Sequence, residues 1–118
     1  MWKLNGKIGL VTGASSGIGM ATALALAAQG KRIRDAGGDV LVIEADITDE
    51  AQAAAMIQRV LENYGRLDML FNVAGVGVAA PFQNTTTSEY REMVDINILG
   101  LLYAINAALP AMKRQGSG

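Results

Sequence analysis

The stretch Thr12-Gly13-Ala14-Ser15-Ser16-Gly17-Ile18-Gly19 constrains this chain more than any other, because it lies between an apolar run and an alanine-rich segment. Lys7-Ile8-Gly9-Leu10-Val11 reads as a strand and Met20 to Ala28 as a strong helix former, so the glycines sit inside a strand-turn-helix unit. Lacking a Cβ, Gly13 permits the tight turn, Gly17 lets backbone amides approach phosphate oxygens, and Gly19 lets the new helix pack closely on the strand. The unpaired amides and positive dipole end of that helix favour an anion. A glycine triplet alone more often marks a loop. With the strand before it and the helix after it, the reading becomes a dinucleotide pyrophosphate site.

Beyond the glycines the chain alternates strand and helix, which favours a parallel sheet with helices on its faces. Asp39 to Asp46 reads as a buried strand after Gly37-Gly38, and Thr48 as the cap of a helix whose first turn carries Asp49 and Glu50. That helix has an apolar stripe of Ala53, Ile57, Val60, Leu61 and Tyr64, and Gly65 ends it. Leu67 to Val73 forms the next strand. A loop through Pro81 then leads to a helix capped near Thr86 or Ser88, where Thr86 and Glu89 have capping-box spacing, and running to about Arg114. The expected architecture is α/β, a Rossmann-like three-layer αβα domain over residues 1–118, with a parallel sheet of about three strands in the order second, first, third. A length of 118 residues with 51% apolar content suits one compact domain.

Composition removes whole classes of chemistry. There is no cysteine and no histidine, which excludes thiol nucleophiles, disulfides and imidazole bases and leaves no metal site to expect. Any reaction must use hydroxyls, carboxylates, amides or lysine. A net charge of −1 with scattered signs gives no basic patch, so neither nucleic acid nor an anionic membrane is an implied partner. Met1 to Gly6 has no apolar signal core, and apolar runs fall short of the roughly 20 residues that span a bilayer, so a cytoplasmic protein is expected.

The first two glycines are three residues apart, and this version, Thr-Gly-x-x-x-Gly-x-Gly, resembles that of the short-chain dehydrogenase/reductase family. Further landmarks recur in order: Asp46-Ile47-Thr48-Asp49, Gly65-Arg66-Leu67-Asp68-Met69-Leu70, Asn72-Val73-Ala74-Gly75, Pro81-Phe82, Asp95-Ile96-Asn97 and Ala108-Leu109-Pro110-Ala111-Met112. The resemblance implies hydride transfer between NAD or NADP and a small-molecule alcohol or carbonyl. It also implies roles for residues. Gly13, Ser15, Ser16, Gly17, Ile18 and Gly19 take the pyrophosphate and adenosine side, Asp46 and Ile47 the adenine, and Asn72, Ala74 and Gly75 the ribose near the nicotinamide. Val73 stands where the family has a second asparagine. Asp46 has an equally good reading as a strand-end turn or capping residue.

Asn97 is the one catalytic position of the family present here. Val94, Asn97, Leu101, Ile105 and Ala108 fall on one helical stripe, which puts this amide on the core-facing side, where it needs partners. In the family it holds a proton-relaying water; alone, it satisfies nearby backbone. A second stripe of Ile96, Leu99 and Tyr103 leaves the same helix apolar on more than one side, so a homo-oligomer through the helix 88–113 is expected, as family members commonly form.

Two departures from the family matter. After Gly30 the family has a second strand and most of another helix, whereas here Lys31 to Gly38 looks like the end of that helix joined directly to the first. A continuous helix through Gly30 would cost about 1 kcal/mol there, so a break or kink is expected. The acid or base with which the family tells NAD from NADP belongs to that missing strand, and Ser16 carries no selecting charge. The second departure is that no catalytic serine or Tyr-x-x-x-Lys is found: Tyr64, Tyr90 and Tyr103 are followed four residues on by Asp68, Val94 and Ala107. The chain therefore reads as the cofactor-binding half of such an enzyme. Two other readings are a dinucleotide-binding module without turnover and an interaction protein derived from the fold.

Overall fold

The computed structural model of the chain describes residues 6–13, 41 and 43–118. Two four-residue strands, β1 (Gly9–Thr12) and β2 (Met69–Asn72), pair in parallel with Gly9 opposite Met69 and Thr12 opposite Asn72. Helix α1 (Glu50–Tyr64) precedes β2, and a single turn of 3-10 helix (Phe82–Asn84) follows it. One long helical rod then forms from α2 (Thr87–Val94), a π-helical segment (Asp95–Gly100) and α3 (Leu101–Gln115). The first helix (Met20 to Ala28) and the junction at Gly30 lie outside the described residues.

Local chemistry sets the element ends. Asp49, not Thr48, caps α1: its side chain accepts from the amides of Ala51 and Gln52, and Gly65 closes the helix at φ 73°. Thr48 is drawn into a turn by Asp46, whose Oδ1 accepts from both its amide (2.9 Å) and its hydroxyl (2.7 Å). Thr86 and Glu89 make the expected capping box in full.

The strand expected over Asp39 to Asp46 is not found among its described residues, and the sheet described has two strands rather than three. The reason is visible at its end. The Asp46 amide donates to the Gln52 side chain (3.0 Å) and its carbonyl accepts from Asp49 (3.2 Å), so the start of α1 takes the backbone groups that a ladder would use. Ile43 and Ala45 still pack on the core.

That core is a helix-to-helix contact laid over the sheet. Met56, Ile57 and Val60 of α1 meet Ala104 and Ala108 of α3, with Leu67 fully buried beneath them and Leu10 and Leu70 at the margin. Alanines on α3 bring the two helix axes close, and each buried methylene contributes about 0.8 kcal/mol. The buried face of the rod is Gly100, Ala104, Ala108 and Ala111. It is not the expected stripe through Val94 and Asn97, both of which are exposed. A π turn accommodates an extra residue and so rotates everything before it relative to α3. Leu101 and Ile105 end up half-buried at the edge of the face.

The opposite side of the rod leaves Val94, Ile98, Leu102 and Leu109 between 43% and 51% exposed. No charged residue lies between Asp95 and Lys113, and the helix Thr87–Gln115 is long and apolar enough to cross a membrane by length and composition alone. This differs from the expectation that apolar runs fall short of a span: Asn97 and Asn106 interrupt the apolar run without adding charge.

Charge is concentrated where β1 and β2 begin. The Asp68 side chain, 5% exposed, accepts from Arg66 Nε (2.8 Å) and Nη2 (2.6 Å), Lys7 Nζ (3.0 Å) and the Ile8 amide (3.0 Å). Arg66 above all, with the Ile8 amide and Lys7, holds this carboxyl well below the usual carboxylate range, against the opposing pull of burial. A depressed pKa in the folded state means that stability is fully present above the ordinary carboxylate pKa of about 4 and is lost as pH falls below it. Asp68→Ala is expected to cost about 2 to 3 kcal/mol, since it strands a backbone amide and two cations at once. In urea unfolding at pH 7 and pH 3, the variant's midpoint should fall less than the parent's on acidification; an equal fall would show that Asp68 does not carry the acid sensitivity.

Candidate functional site

The carboxyl ends of β1 and β2 converge on one another, and the residues there are small by necessity. Gly13 leaves β1 at φ +68°, and a Cβ built on it would lie 2.5 Å from Ala74 Cα and 2.7 Å from Ala74 N. No side chain fits between these backbones. Gly13 is therefore pressed directly on the strand exit Asn72-Val73-Ala74-Gly75, which brings the first of the predicted pyrophosphate residues against the predicted ribose residues.

Thr12 makes the junction rigid, a role that sequence reading did not give it. Its buried hydroxyl accepts from the amides of Val73 (3.2 Å) and Ala74 (3.3 Å) and lies 3.4 Å from the Phe71 carbonyl, to which it donates. These bonds continue the β1–β2 pairing one step past the last ladder residue. The signal in the sequence was a hydroxyl residue ending an apolar strand immediately before the first glycine.

Asn97 closes the other side. Its Oδ1 accepts from the Val76 amide (2.8 Å) and its Nδ2 donates to the Val76 carbonyl (2.8 Å), so the whole carboxamide is bonded to one residue of the loop after β2. A Cβ on Gly75 would lie 3.2 Å from the same Oδ1. The π turn is what aims Asn97 at this loop, because a regular helix would carry it round toward the buried face.

The predicted adenine residues stand apart from this junction. Ile47 packs on the rod, where a Cβ on Gly100 would meet its side chain at 3.0 Å and its carbonyl at 3.1 Å. Asp46 is exposed and engaged with Thr48 and Gln52. Ser15, Ser16, Gly17, Ile18 and Gly19 lie outside the described residues. Among the described residues, no group of three acidic side chains is placed to hold a metal ion.

A parallel β-α-β arrangement with a glycine turn against a neighbouring strand exit defines the class of dinucleotide-binding α/β proteins. Within that class, the short-chain dehydrogenase family model matches residues 7–118, and the chain belongs to this family. An uncharacterized oxidoreductase of Staphylococcus haemolyticus is 36% identical over 133 aligned positions, covering 100% of this chain and 58% of that protein. The crystal structure of NAD+-bound xylitol dehydrogenase superposes with a TM-score of 0.86 at 31% identity, covering 99% of this chain and 52% of that one. An alcohol dehydrogenase of the archaeon Thermococcus sibiricus, complexed with 5-hydroxy-NADP, gives 0.82 at 28% identity, covering 94% and 55%. The chain thus spans about half the length of the relatives it matches. The Staphylococcus alignment is also longer than the 118 residues it covers, so that relative carries residues within the matched span that this chain lacks.

Gly13 and Gly65 share a positive φ, but a Cβ on Gly65 would meet nothing within 4 Å. Gly65→Ala should therefore cost only the backbone penalty of about 1 kcal/mol, whereas Gly13→Ala adds the collision with Ala74 and should cost at least about 2 kcal/mol more. Equal shifts of the urea midpoint in the two variants would show that the turn and the strand exit are not in contact.

Proposed function

We propose that this chain is the dinucleotide-binding half of an NAD(P)-dependent oxidoreductase of the short-chain dehydrogenase type, acting on a small alcohol or carbonyl compound. The single observation that carries this reading is the cradle at Gly13 and Ala74, where two backbones meet with no room for a Cβ. This contact brings the carboxyl ends of the two strands together, where a dinucleotide lies in α/β proteins of this class, and the small residues Gly13, Ala74 and Gly75 there fit the group. Gly13, Ser15, Ser16, Gly17, Ile18 and Gly19 would hold the pyrophosphate and adenosine side, Asp46 and Ile47 the adenine, and Asn72, Ala74 and Gly75 the second ribose. Bound there, the nicotinamide supplies the hydride acceptor or donor.

What this chain's own residues contribute is position. Thr12 fixes the strand exit and Asn97 fixes the loop beyond it, so the part of the surface that follows β2 is held by the chain's own hydrogen bonds. The Asn97 carboxamide gives one acceptor and one donor to Val76 and in doing so holds the loop. The hydroxyl and lysine that would handle the substrate proton are not supplied by any Tyr-x-x-x-Lys in these 118 residues. Binding without turnover is the behaviour expected of them alone.

The exposed row Val94, Ile98, Leu102 and Leu109 supports association of two copies through the helix 88–113. A cytoplasmic location goes with the same reading. Leu102→Glu is expected to shift the protein from dimer to monomer in sedimentation equilibrium; an unchanged mass would rule out this face.

Titration calorimetry with NAD and NADP tests the main proposal. Binding in the range of about 10 µM to 1 mM is expected, weaker than for a complete site because each missing hydrogen bond forfeits about 0.5 to 1.5 kcal/mol. Gly17→Ala should weaken it at least about tenfold by blocking the approach of phosphate to backbone. Measurable binding that ignores this substitution would favour a different site, and no binding at all would favour an interaction protein that retains only the fold.

A further inference from the structure

Gly100 ends the π-helical segment of the rod and is buried, although its backbone is ordinary right-handed helix at φ −59° and ψ −39°. Only proline is a poorer helix former than glycine, so backbone conformation gives no reason for a glycine at this position. The reason lies across the gap between the rod and the chain that leads into α1. A Cβ on Gly100 would meet Ile47 Cδ1 and Cγ1 at 3.0 Å and the Ile47 carbonyl oxygen at 3.1 Å. The three nearest atoms to such a Cβ thus all belong to one residue. An isoleucine side chain turns aside from a contact of this kind, whereas a carbonyl moves only with the planar peptide that carries it.

That peptide belongs to a closed turn. The Asp46 carbonyl accepts from the Asp49 amide (3.2 Å), the Asp46 side chain accepts from the Thr48 amide (2.9 Å) and hydroxyl (2.7 Å), and the Asp46 amide donates to the Gln52 side chain (3.0 Å). These bonds fix the shape of the turn and join it to the start of α1. They leave its distance from the rod to be set by packing, and α1 meets the rod further along, at Ala104 and Ala108. Gly100 is where the turn itself comes to rest. Three residues earlier in the same π-helical segment, Asn97 holds the loop after β2 through Val76. One short segment of the rod therefore touches both the turn at Asp46-Ile47 and the loop beyond the strand exit.

We propose that Gly100 is a positioning residue for the adenine end of the dinucleotide site, and that its bare Cα sets how closely the Asp46-Ile47 turn lies on the rod. This role rests on the reading of Asp46 and Ile47 as adenine residues. A methyl group at position 100 pushes the Ile47 backbone outward by a few tenths of an ångström and carries Asp46 with it, while Asn97 and Val76 keep their bonds. The adenine end moves and the nicotinamide end stays.

The test is NMR titration of the full chain and of its Gly100→Ala variant with ADP, which presents the adenine half of the dinucleotide, and with nicotinamide mononucleotide, which presents the other half. Gly100→Ala should weaken ADP at least about fivefold and change nicotinamide mononucleotide less than about twofold. Helix content by circular dichroism should hold, because alanine favours the helix. Without ligand, the amide resonances of Thr48 and Asp49 should already be displaced. In an Ile47→Ala background, which removes two of the three close contacts, the loss caused by Gly100→Ala should shrink to less than about twofold, and this pair of variants supplies the comparison if Gly100→Ala alone does not fold. Three results would overturn the proposal: equal loss of both ligands, as a general loss of stability gives; ADP binding that ignores the substitution; or Thr48 and Asp49 resonances at their parent positions. Failure of the dinucleotide reading looks different. The unsubstituted chain then binds neither ligand, which removes the adenine role, while the resonances of the turn still report whether Gly100 sets its position.

Discussion

The register between β1 and β2 is the constraint on which the site depends, and it is held at both ends by side chains. At the entry, Asp68 joins the Ile8 amide to two cations across the gap between the strands. At the exit, the Thr12 hydroxyl reaches across to Val73 and Ala74. Four ladder residues on each strand are few for a pair that must place two loops within van der Waals contact. The polar fastenings supply what the short ladder does not. A slip of one residue would turn each side chain to the other face and separate Gly13 from Ala74.

The long helical rod performs two tasks that a regular helix would set against each other. Its second half offers alanines to α1, which closes the core, and its first half must present Asn97 to the loop after β2. The π turn between them resolves the conflict by changing the angular phase in the middle of the rod. Carboxamides fasten this rod at two places, Asn97 to Val76 and Gln115 to Leu67, each gripping both the amide and the carbonyl of one residue. The two gripped residues lie before and after β2 along the chain, so the rod is tied to the strand's approach and to its exit.

Much of this was legible in the residues. The strand at the glycines, the strand after Gly65, the helix before it, the capping box at Thr86 and the stop at Gly65 follow from local chemistry acting over a few positions. Other features were not legible because they depend on who competes for a hydrogen bond. Asp46 draws Thr48 into a turn and leaves the cap of α1 to Asp49. Asp46 and Gln52 likewise divert backbone groups from the expected third strand. The exposed position of Asn97 was hidden for another reason: periodicity assumes a constant angle per residue, and the π turn breaks that assumption.

The sequence by itself determined the family and the glycine positions where a dinucleotide could lie on bare backbone. These are properties of single residues and their spacing, so they survive without knowledge of the fold. Only the tertiary structure decided that Gly13 closes on Ala74, that Thr12 bonds across to the next strand, and that Asn97 bonds to the loop after β2. Each of these is a contact between segments about 20 or more residues apart, and such contacts exist only when the core of α1 and α3 fixes where the strand ends meet.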